Sequence, residues 1–186
     1  MRRAIVIGAS YGGMEAIRNL LSKFPAGFDL PVIVVLHIGN NNISAYLTRL
    51  NEKTGFLVKE VDEKEPIRPG TVYFAPPNYH LQIENDFSFS LSTDKKVNFS
   101  RPSIDVLFET AAWVFKDGLI GILLTGANND GANGLTSIKK YGGTTIVENP
   151  ETALAPAMPR AATELFNPDY VLDLEDIAEK VIELCR

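Results

Sequence analysis

The sequence is poor in the residues that build disulfides, and it has no long apolar run. Its 186 residues include one cysteine, Cys185, and two histidines, His37 and His80. A single cysteine excludes an internal disulfide and is typical of a reducing compartment. No apolar run reaches the roughly 20 residues of a transmembrane helix, and the run after the basic start, Met1 to Arg3, is too short for a signal peptide. We therefore predict a cytoplasmic protein that is not inserted in a membrane.

The chain also lacks an excess of positive charge. Its 18 Lys and Arg residues against 23 Asp and Glu residues give a formal net charge of −5. This balance argues against nucleic acid or an anionic membrane surface as a general partner, because both attract basic proteins. Hydrophobic residues make up 45% of the chain and charged residues 22%, as in ordinary globular proteins. The length predicts one domain, 1–186, with a sizeable core.

A glycine-rich turn near the N terminus lacks both common phosphate-binding motifs. Residues 4–17 read AIVIGASYGGMEAI, an apolar run, a turn around Ser10 and a helix-like pattern. The G-x-G-x-x-G spacing is missing, and Met14 and Glu15 follow Gly13 where a P-loop needs Lys and Ser or Thr. A nucleotide-binding domain therefore has little support. The turn is either a generic strand-to-helix connection or one that holds the Ser10 hydroxyl beside the N–H groups of a helix start.

Strands and helices alternate along the chain. Strands are predicted at 4–8, 31–36, 57–61, 71–75, 80–83, 87–91, 119–124, 144–147 and 170–172. Helices are predicted at 14–23, 43–54, 101–116, from the glycine-rich loop to about 141, just after Pro159, and at 174–184.

The pattern of these elements predicts the fold class. Continuous apolar strands such as 31–36 are typical of a parallel sheet covered on both faces. Alternating strands and helices then indicate an α/β fold with three layers and a doubly wound, mostly parallel sheet. The alternation on either side of Asn85 and Asp86 predicts an antiparallel hairpin, so we expect a mixed sheet.

Three strand ends carry residues that suit nucleophilic catalysis: Ser10, His37 and Asp130. In a doubly wound sheet these ends lie on one edge, so the three side chains can meet. A serine hydroxyl needs a base with a pKa near neutrality, which histidine supplies. The base in turn needs a carboxylate on its other nitrogen. The chain order Ser, His, Asp differs from the Ser, Asp/Glu, His order of α/β-hydrolases.

Each candidate also has a structural interpretation, and residue chemistry leaves both open. His37 can be a hydrogen-bonded structural residue at its strand end. His80, at the start of the hairpin, suits a structural or cleft position better than the role of base. Asp130 can simply cap the helix that starts beside it. Asp105 is the rival carboxylate, although it lies inside a predicted helix.

Six segments, in order along nearly the whole chain, resemble the catalytic domain of the chemotaxis protein-glutamate methylesterase (CheB) family. They are Gly8–Gly13 (GASYGG), His37, Ala75–Leu81 (APPNYHL), Arg101–Phe108 (RPSIDVLF), Leu124–Gly134 (LTGANNDGANG) and Met158–Ala162 (MPRAA).

The resemblance implies a serine hydrolase that demethylates γ-glutamyl methyl esters in bacterial chemotaxis, with glutamine deamidation as a related activity. It assigns Ser10 as the nucleophile, His37 as the general base and Asp130 as the acid that orients the base. It implies no cofactor and no metal. The expected partners are the methylated cytoplasmic helices of chemoreceptors.

Some positions depart from the family's motifs. Tyr11 replaces the small residue after the serine, and Ala127 and Asn128 replace a Met-Gly pair in the aspartate loop. We expect these changes to affect substrate preference and rate more than the class of reaction. They also motivate an alternative, a catalytically weak binding or regulatory module that docks on a signalling partner.

The family commonly carries an N-terminal receiver domain that inhibits the esterase until it is phosphorylated. Here Met1 leads straight into the first predicted strand. We therefore expect either a free-standing member of the family or an excised catalytic domain, and a free-standing member would not be regulated by that route.

Overall fold

The structure is a computed structural model that describes residues 3–39 and 41–185. Met1 and Arg2, in the predicted basic start, lie outside the described residues, as do Asn40 and Arg186. The strands are β1 (Ala4–Ala9), β2 (Val32–Leu36), β3 (Leu57–Glu60), β4 (Thr71–Phe74), β5 (His80–Ile83), β6 (Phe89–Ser92), β7 (Leu119–Leu123), β8 (Thr144–Glu148) and β9 (Tyr170–Leu172). The helices are α1 (Gly13–Ser22), α2 (Ser44–Lys53), α3 (Ile104–Phe115), α4 (Ala132–Lys140), α5 (Ala157–Leu165) and α6 (Leu174–Cys185).

Seven strands form one parallel sheet in the order β3-β4-β2-β1-β7-β8-β9. The central strands are apolar along their whole length because both faces of the sheet are covered. Ile7 contributes to a core cluster shared with α1, α2 and α6, and Val6 to a second cluster shared with α3, α4 and α5. The predicted α/β fold with three layers is therefore confirmed.

The antiparallel hairpin is present, but it does not make the main sheet mixed. β5 and β6 form a separate two-stranded sheet. On the outer edge of β6, Phe89 exchanges backbone hydrogen bonds with Lys64 and Glu65, so the connector after β3 occupies that edge. The apolar faces of the hairpin, with Leu81 and Phe89, join the core cluster that contains α3. The apolar–polar alternation of this segment thus reflects packing against a helix.

The helix predicted after Pro159 begins earlier than expected, at Ala157. Proline is tolerated in the first turn of a helix, where its missing N–H has no intrahelical acceptor. Across the described ranges, no helix is long and apolar enough to cross a membrane.

Candidate active site

Ser10 lies one residue beyond β1, in the tight turn that opens α1. Its N–H donates to the carbonyl of Thr125 at 3.0 Å, and its carbonyl accepts the Gly13 N–H at 2.8 Å. Gly12 caps α1 with a φ of 80°, a left-handed conformation that suits glycine. The turn therefore holds Ser10 at the carboxyl edge of the sheet, half-buried against the end of β7.

The loop after β7 passes directly behind Ser10. A Cβ atom added to Gly126 would lie 3.0 Å from the Cβ of Ser10 and 2.5 Å from the Cε of Met158. Only a residue without a side chain permits this approach without displacing a neighbour. The loop that carries Asp130 is thereby brought close to the Ser10 turn.

His37 lies one residue beyond β2, the neighbour of β1 in the sheet. Its N–H donates to the carbonyl of Ala9 at 3.0 Å, which places the imidazole beside the Ser10 turn. The side chain is 12% exposed. Ser10 and His37 line the same cleft of about 260 Å³, together with the first turn of α1. The structure therefore brings the predicted nucleophile and base to one cavity.

Asp130 is fully buried and lies behind His37. Its Oδ2 is 2.9 Å from His37 Nε2, and its oxygens also accept hydrogen bonds from Ser103, Asn98 and the N–H of Ile104. Burial alone would raise the pKa of Asp130, but these hydrogen bonds, that of His37 foremost, outweigh it and lower the pKa. The carboxylate is therefore ionised at neutral pH, and His37 Nε2 is the nitrogen that carries the proton.

The capping role expected of Asp130 is present, but at a different helix. Asp130 accepts the N–H groups of Ile104 and Asp105 at the start of α3, at 2.7 and 3.2 Å. Asp105 in turn accepts the N–H groups of Gly131 and Gly134 at the start of α4, at 2.9 and 2.7 Å. The two carboxylates therefore cap each other's helices, and Asp130 serves α3 and His37 together.

Asp105 is the alternative carboxylate from the sequence analysis, but its hydrogen bonds go to groups other than His37. Its Oδ2 accepts the Asn98 amide at 2.8 Å, and Asn98 also donates to Asp130. Burial raises the pKa of Asp105, and the charge of Asp130 adds to that effect. The carboxylate that contacts His37 is that of Asp130. Asn98 lies outside every motif in the sequence analysis, so nothing local indicated its role.

His80, the second histidine, is buried and links the backbone at Lys95 to the backbone at Ser103. Its Nδ1 accepts the Ser103 N–H at 3.2 Å, and its Nε2 lies 3.0 Å from the carbonyl of Lys95. Both ring nitrogens are therefore engaged by main-chain groups, with Nε2 as the donor. His80 is the structural histidine of the pair.

The residues that depart from the motifs lie close to the cleft. Tyr11 is 67% exposed, so its ring lies on the surface beside Ser10. Asn128 contacts the other side of the imidazole, with its Nδ2 3.2 Å from His37 Nδ1. The sequence showed Asn128 only as a substitution in a loop, and the contact became visible in the structure. Among residues 3–39 and 41–185, no group of three or more His, Cys, Asp or Glu side chains is arranged to hold a metal ion.

The family model described as CheB methylesterase matches residues 5–181. The chain belongs to the CheB methylesterase family. It is 52% identical over 181 residues to a putative protein-glutamate methylesterase/protein-glutamine glutaminase of Leptospira interrogans, with 97% of this chain and 94% of that protein covered. The predicted family and the prediction of a hydrolase are thereby confirmed.

Other CheB-family relatives are longer or are known as isolated domains. A protein-glutamate methylesterase/protein-glutamine glutaminase of Clostridium acetobutylicum is 37% identical over 183 residues, which cover 98% of this chain and 53% of that protein. The crystal structure of the Thermotoga maritima CheB methylesterase catalytic domain superposes with a TM-score of 0.94 at 35% identity, covering 99% of both chains. The fold is that of the CheB catalytic domain.

Proposed function

We propose that this CheB-family chain, as one catalytic domain, hydrolyses γ-glutamyl methyl esters on the cytoplasmic helices of chemoreceptors. Deamidation of glutamine is proposed as a second reaction of the same site. The observation that carries the proposal is the 2.9 Å contact of His37 with an ionised Asp130, at the cleft that Ser10 also lines. The names of the Leptospira and Clostridium relatives support the choice of substrate. A cytoplasmic location follows from this substrate.

In the proposed reaction, Ser10 is the nucleophile and His37 the base. The Ser10 oxygen attacks the ester carbonyl while its proton passes to His37 Nδ1, since Nε2 donates to Asp130. The ionised Asp130 stabilises the imidazolium, which then gives the proton to the methoxide group as its bond to the carbonyl carbon breaks, and methanol leaves. A water molecule, deprotonated by His37, hydrolyses the acyl-enzyme to the free glutamate. With glutamine as substrate, the same sequence of steps releases ammonia.

Backbone N–H groups near Ser10 are proposed to stabilise the oxyanion. Gly126 and Asp130 already donate their N–H groups to the Ala155 carbonyl and to Asn128 Oδ1. Among the described residues, the N–H groups of Tyr11 and Gly12 after Ser10 donate to no acceptor, and neither do those of residues 127–129 in the loop after β7. These unpaired N–H groups are the candidates for the oxyanion donors. Removal of one such donor typically slows catalysis about 100- to 1,000-fold.

The test is methanol release from a methylated chemoreceptor fragment by the wild type and by Ser10→Ala, His37→Ala and Asp130→Asn. We expect Ser10→Ala and His37→Ala each to lower kcat by about 10⁴-fold or more, and Asp130→Asn to retain a higher residual rate. The matched control is Ser22→Ala, at an exposed serine at the end of α1, which should retain full activity.

Two outcomes would overturn this proposal. Methanol release that survives Ser10→Ala would exclude Ser10 as the nucleophile. A folded wild type that binds the methylated fragment without releasing methanol would instead identify a binding module.

A further inference from the structure

The side-chain amide of Asn128 has a defined orientation at the imidazole of His37. Its Oδ1 accepts the backbone N–H of Asp130 at 3.0 Å. Because an N–H group bonds to the oxygen of an amide and not to its nitrogen, this contact assigns the two amide atoms. The Nδ2 group of Asn128 therefore faces His37 Nδ1, 3.2 Å away.

The proton on His37 is located by its other neighbour. Nε2 lies 2.9 Å from the carboxylate of Asp130, which is ionised and can only accept a hydrogen bond. Nε2 therefore carries the proton, and Nδ1 of the neutral ring presents a lone pair. Asn128 donates to that lone pair, the same one that would receive the proton of Ser10.

We propose that Asn128 is a positioning residue that occupies the Nδ1 lone pair of His37 in the resting protein and must release it before Ser10 is activated. The inference rests on the proposed function, because it needs His37 as the base. A protonated Nδ1 would direct its N–H at the Asn128 amide N–H, so the amide must turn away before Nδ1 accepts the proton of Ser10. Asn128 thus holds the ring in place and delays proton transfer until the amide turns away.

The charged groups already present around the ring are not substituted in the variants that test this inference, and only Asn128→Asp adds a charge. Asp130 contacts the imidazole, Asp105 is coupled to Asp130, and Glu15 lines the α1 side of the cleft and pairs with Arg18. Since none of these is substituted, a change in the behaviour of His37 reports on position 128.

The first measurement is ¹⁵N NMR of His37 over a series of pH values, compared at the alkaline limit where the ring is neutral. In the wild type we expect a protonated Nε2 and a hydrogen-bonded, unprotonated Nδ1. Asn128→Ala should move the Nδ1 resonance toward that of a free lone pair, and the matched control Asn129→Ala, at an exposed neighbour, should leave it unchanged. An Nδ1 resonance that is the same in the wild type and Asn128→Ala would overturn the proposal, whether or not the protein is an esterase.

The second measurement is kcat/KM for methanol release. The hydrogen bond from Asn128 to His37 Nδ1 must break before the transition state, so it adds to the activation free energy. Asn128→Ala should therefore raise kcat/KM about 2- to 10-fold, the equivalent of one ordinary hydrogen bond. Asn128→Asp retains an acceptor for the Asp130 N–H but places a carboxylate oxygen at Nδ1. It should stabilise the imidazolium, lower kcat/KM at pH 7 and move the acid limb of the pH profile to higher pH.

The two measurements separate this proposal from the proposed function. Lower activity in Asn128→Ala, with the NMR change present, would make Asn128 a purely structural support and overturn the release step. No methanol release by the wild type, with the NMR change present, would overturn the proposed function and the release step and leave only the contact.

Discussion

At the level of single residues, the two buried carboxylates of the site have pKa values shifted in opposite directions. Asp130 accepts enough hydrogen bonds to lower its pKa despite burial, whereas burial dominates at Asp105 and raises its pKa. An ordinary aspartate has a pKa of about 3.9 in the unfolded chain. The stability supplied by ionised Asp130 is therefore present above about pH 4 and is lost as pH falls through its folded-state pKa. For Asp105 the contribution is present below about pH 4 and is lost as pH rises through its folded-state pKa.

This contrast predicts opposite pH dependences for Asp130→Asn and Asp105→Asn. We expect Asp130→Asn to lower the free energy of unfolding at pH 7 by about 1.5–3 kcal/mol, the range for hydrogen bonds to a charged group. Its difference from the wild type should narrow as pH falls below about 4. For Asp105→Asn the change should lie above about pH 4 instead, because the wild type loses the stability supplied by protonated Asp105 as pH rises through the raised pKa of that carboxyl. Denaturant unfolding at a series of pH values measures both, and differences independent of pH would contradict the assigned ionisation states.

At the level of elements, the start of α1 depends on a left-handed glycine. Gly12 has a φ of 80°, and a Cβ atom there would lie 2.7 Å from the Cδ2 of Leu154, an exposed side chain that can move. Gly27, in the loop after α1, also has a φ of +80° but has no atom within 4 Å of an added Cβ. An alanine at either position would have the same unfavourable left-handed backbone, but only at position 12 would its methyl group meet a neighbouring side chain.

The matched pair Gly12→Ala and Gly27→Ala separates strain from the geometry of the site. Each should lower the free energy of unfolding by about 1–2 kcal/mol, the cost of a left-handed non-glycine residue. We expect methanol release to fall only in Gly12→Ala, because that turn holds Ser10 and the added methyl group displaces Leu154. Thermal or urea unfolding and the methanol assay measure the two effects. Equal activity in both variants would show that the turn tolerates the change.

At the level of the whole molecule, the parallel sheet has a hydrophobic core on each face. Ile7 in β1 and Ile33 in β2 are both fully buried, but they belong to different clusters. Val171, in the edge strand β9, is 44% exposed. The strands that end at the site are therefore packed between two layers of helices. This packing fixes the ends of β1 and β2, and with them the positions of Ser10 and His37 relative to each other.

Truncation of either core should destabilise the protein to a similar extent. We expect Ile7→Ala and Ile33→Ala each to lower the free energy of unfolding by about 2–5 kcal/mol, because each leaves a buried cavity. Val171→Ala should stay within about 0.5 kcal/mol of the wild type. Denaturant unfolding measures all three. A large loss from only one of the two isoleucines would contradict the arrangement with two cores.

The candidate site could be predicted from the sequence wherever a residue follows a recognisable strand. Ser10 and His37 directly follow the apolar runs of β1 and β2, and the structure places both at one cleft. For His80 the sequence favoured a structural or cleft position over the role of base, and the structure shows the structural one. The roles of Asp105 and Asn98 could not be predicted, because each depends on partners from other elements. The hairpin was recognisable, but its separation from the main sheet depends on the connector that occupies the edge of β6.

The sequence by itself determined the α/β class, the order of the elements and the strand ends that carry Ser10 and His37. These follow from hydrophobic periodicity and turn residues, which are properties of neighbouring positions. Only the tertiary structure decided that Asp130 caps α3 while it holds His37, and that Asn128 occupies the other imidazole nitrogen. These contacts join residues 93 and 91 positions apart. Their geometry is set by how the loops at the sheet edge pack, and no local pattern encodes such packing.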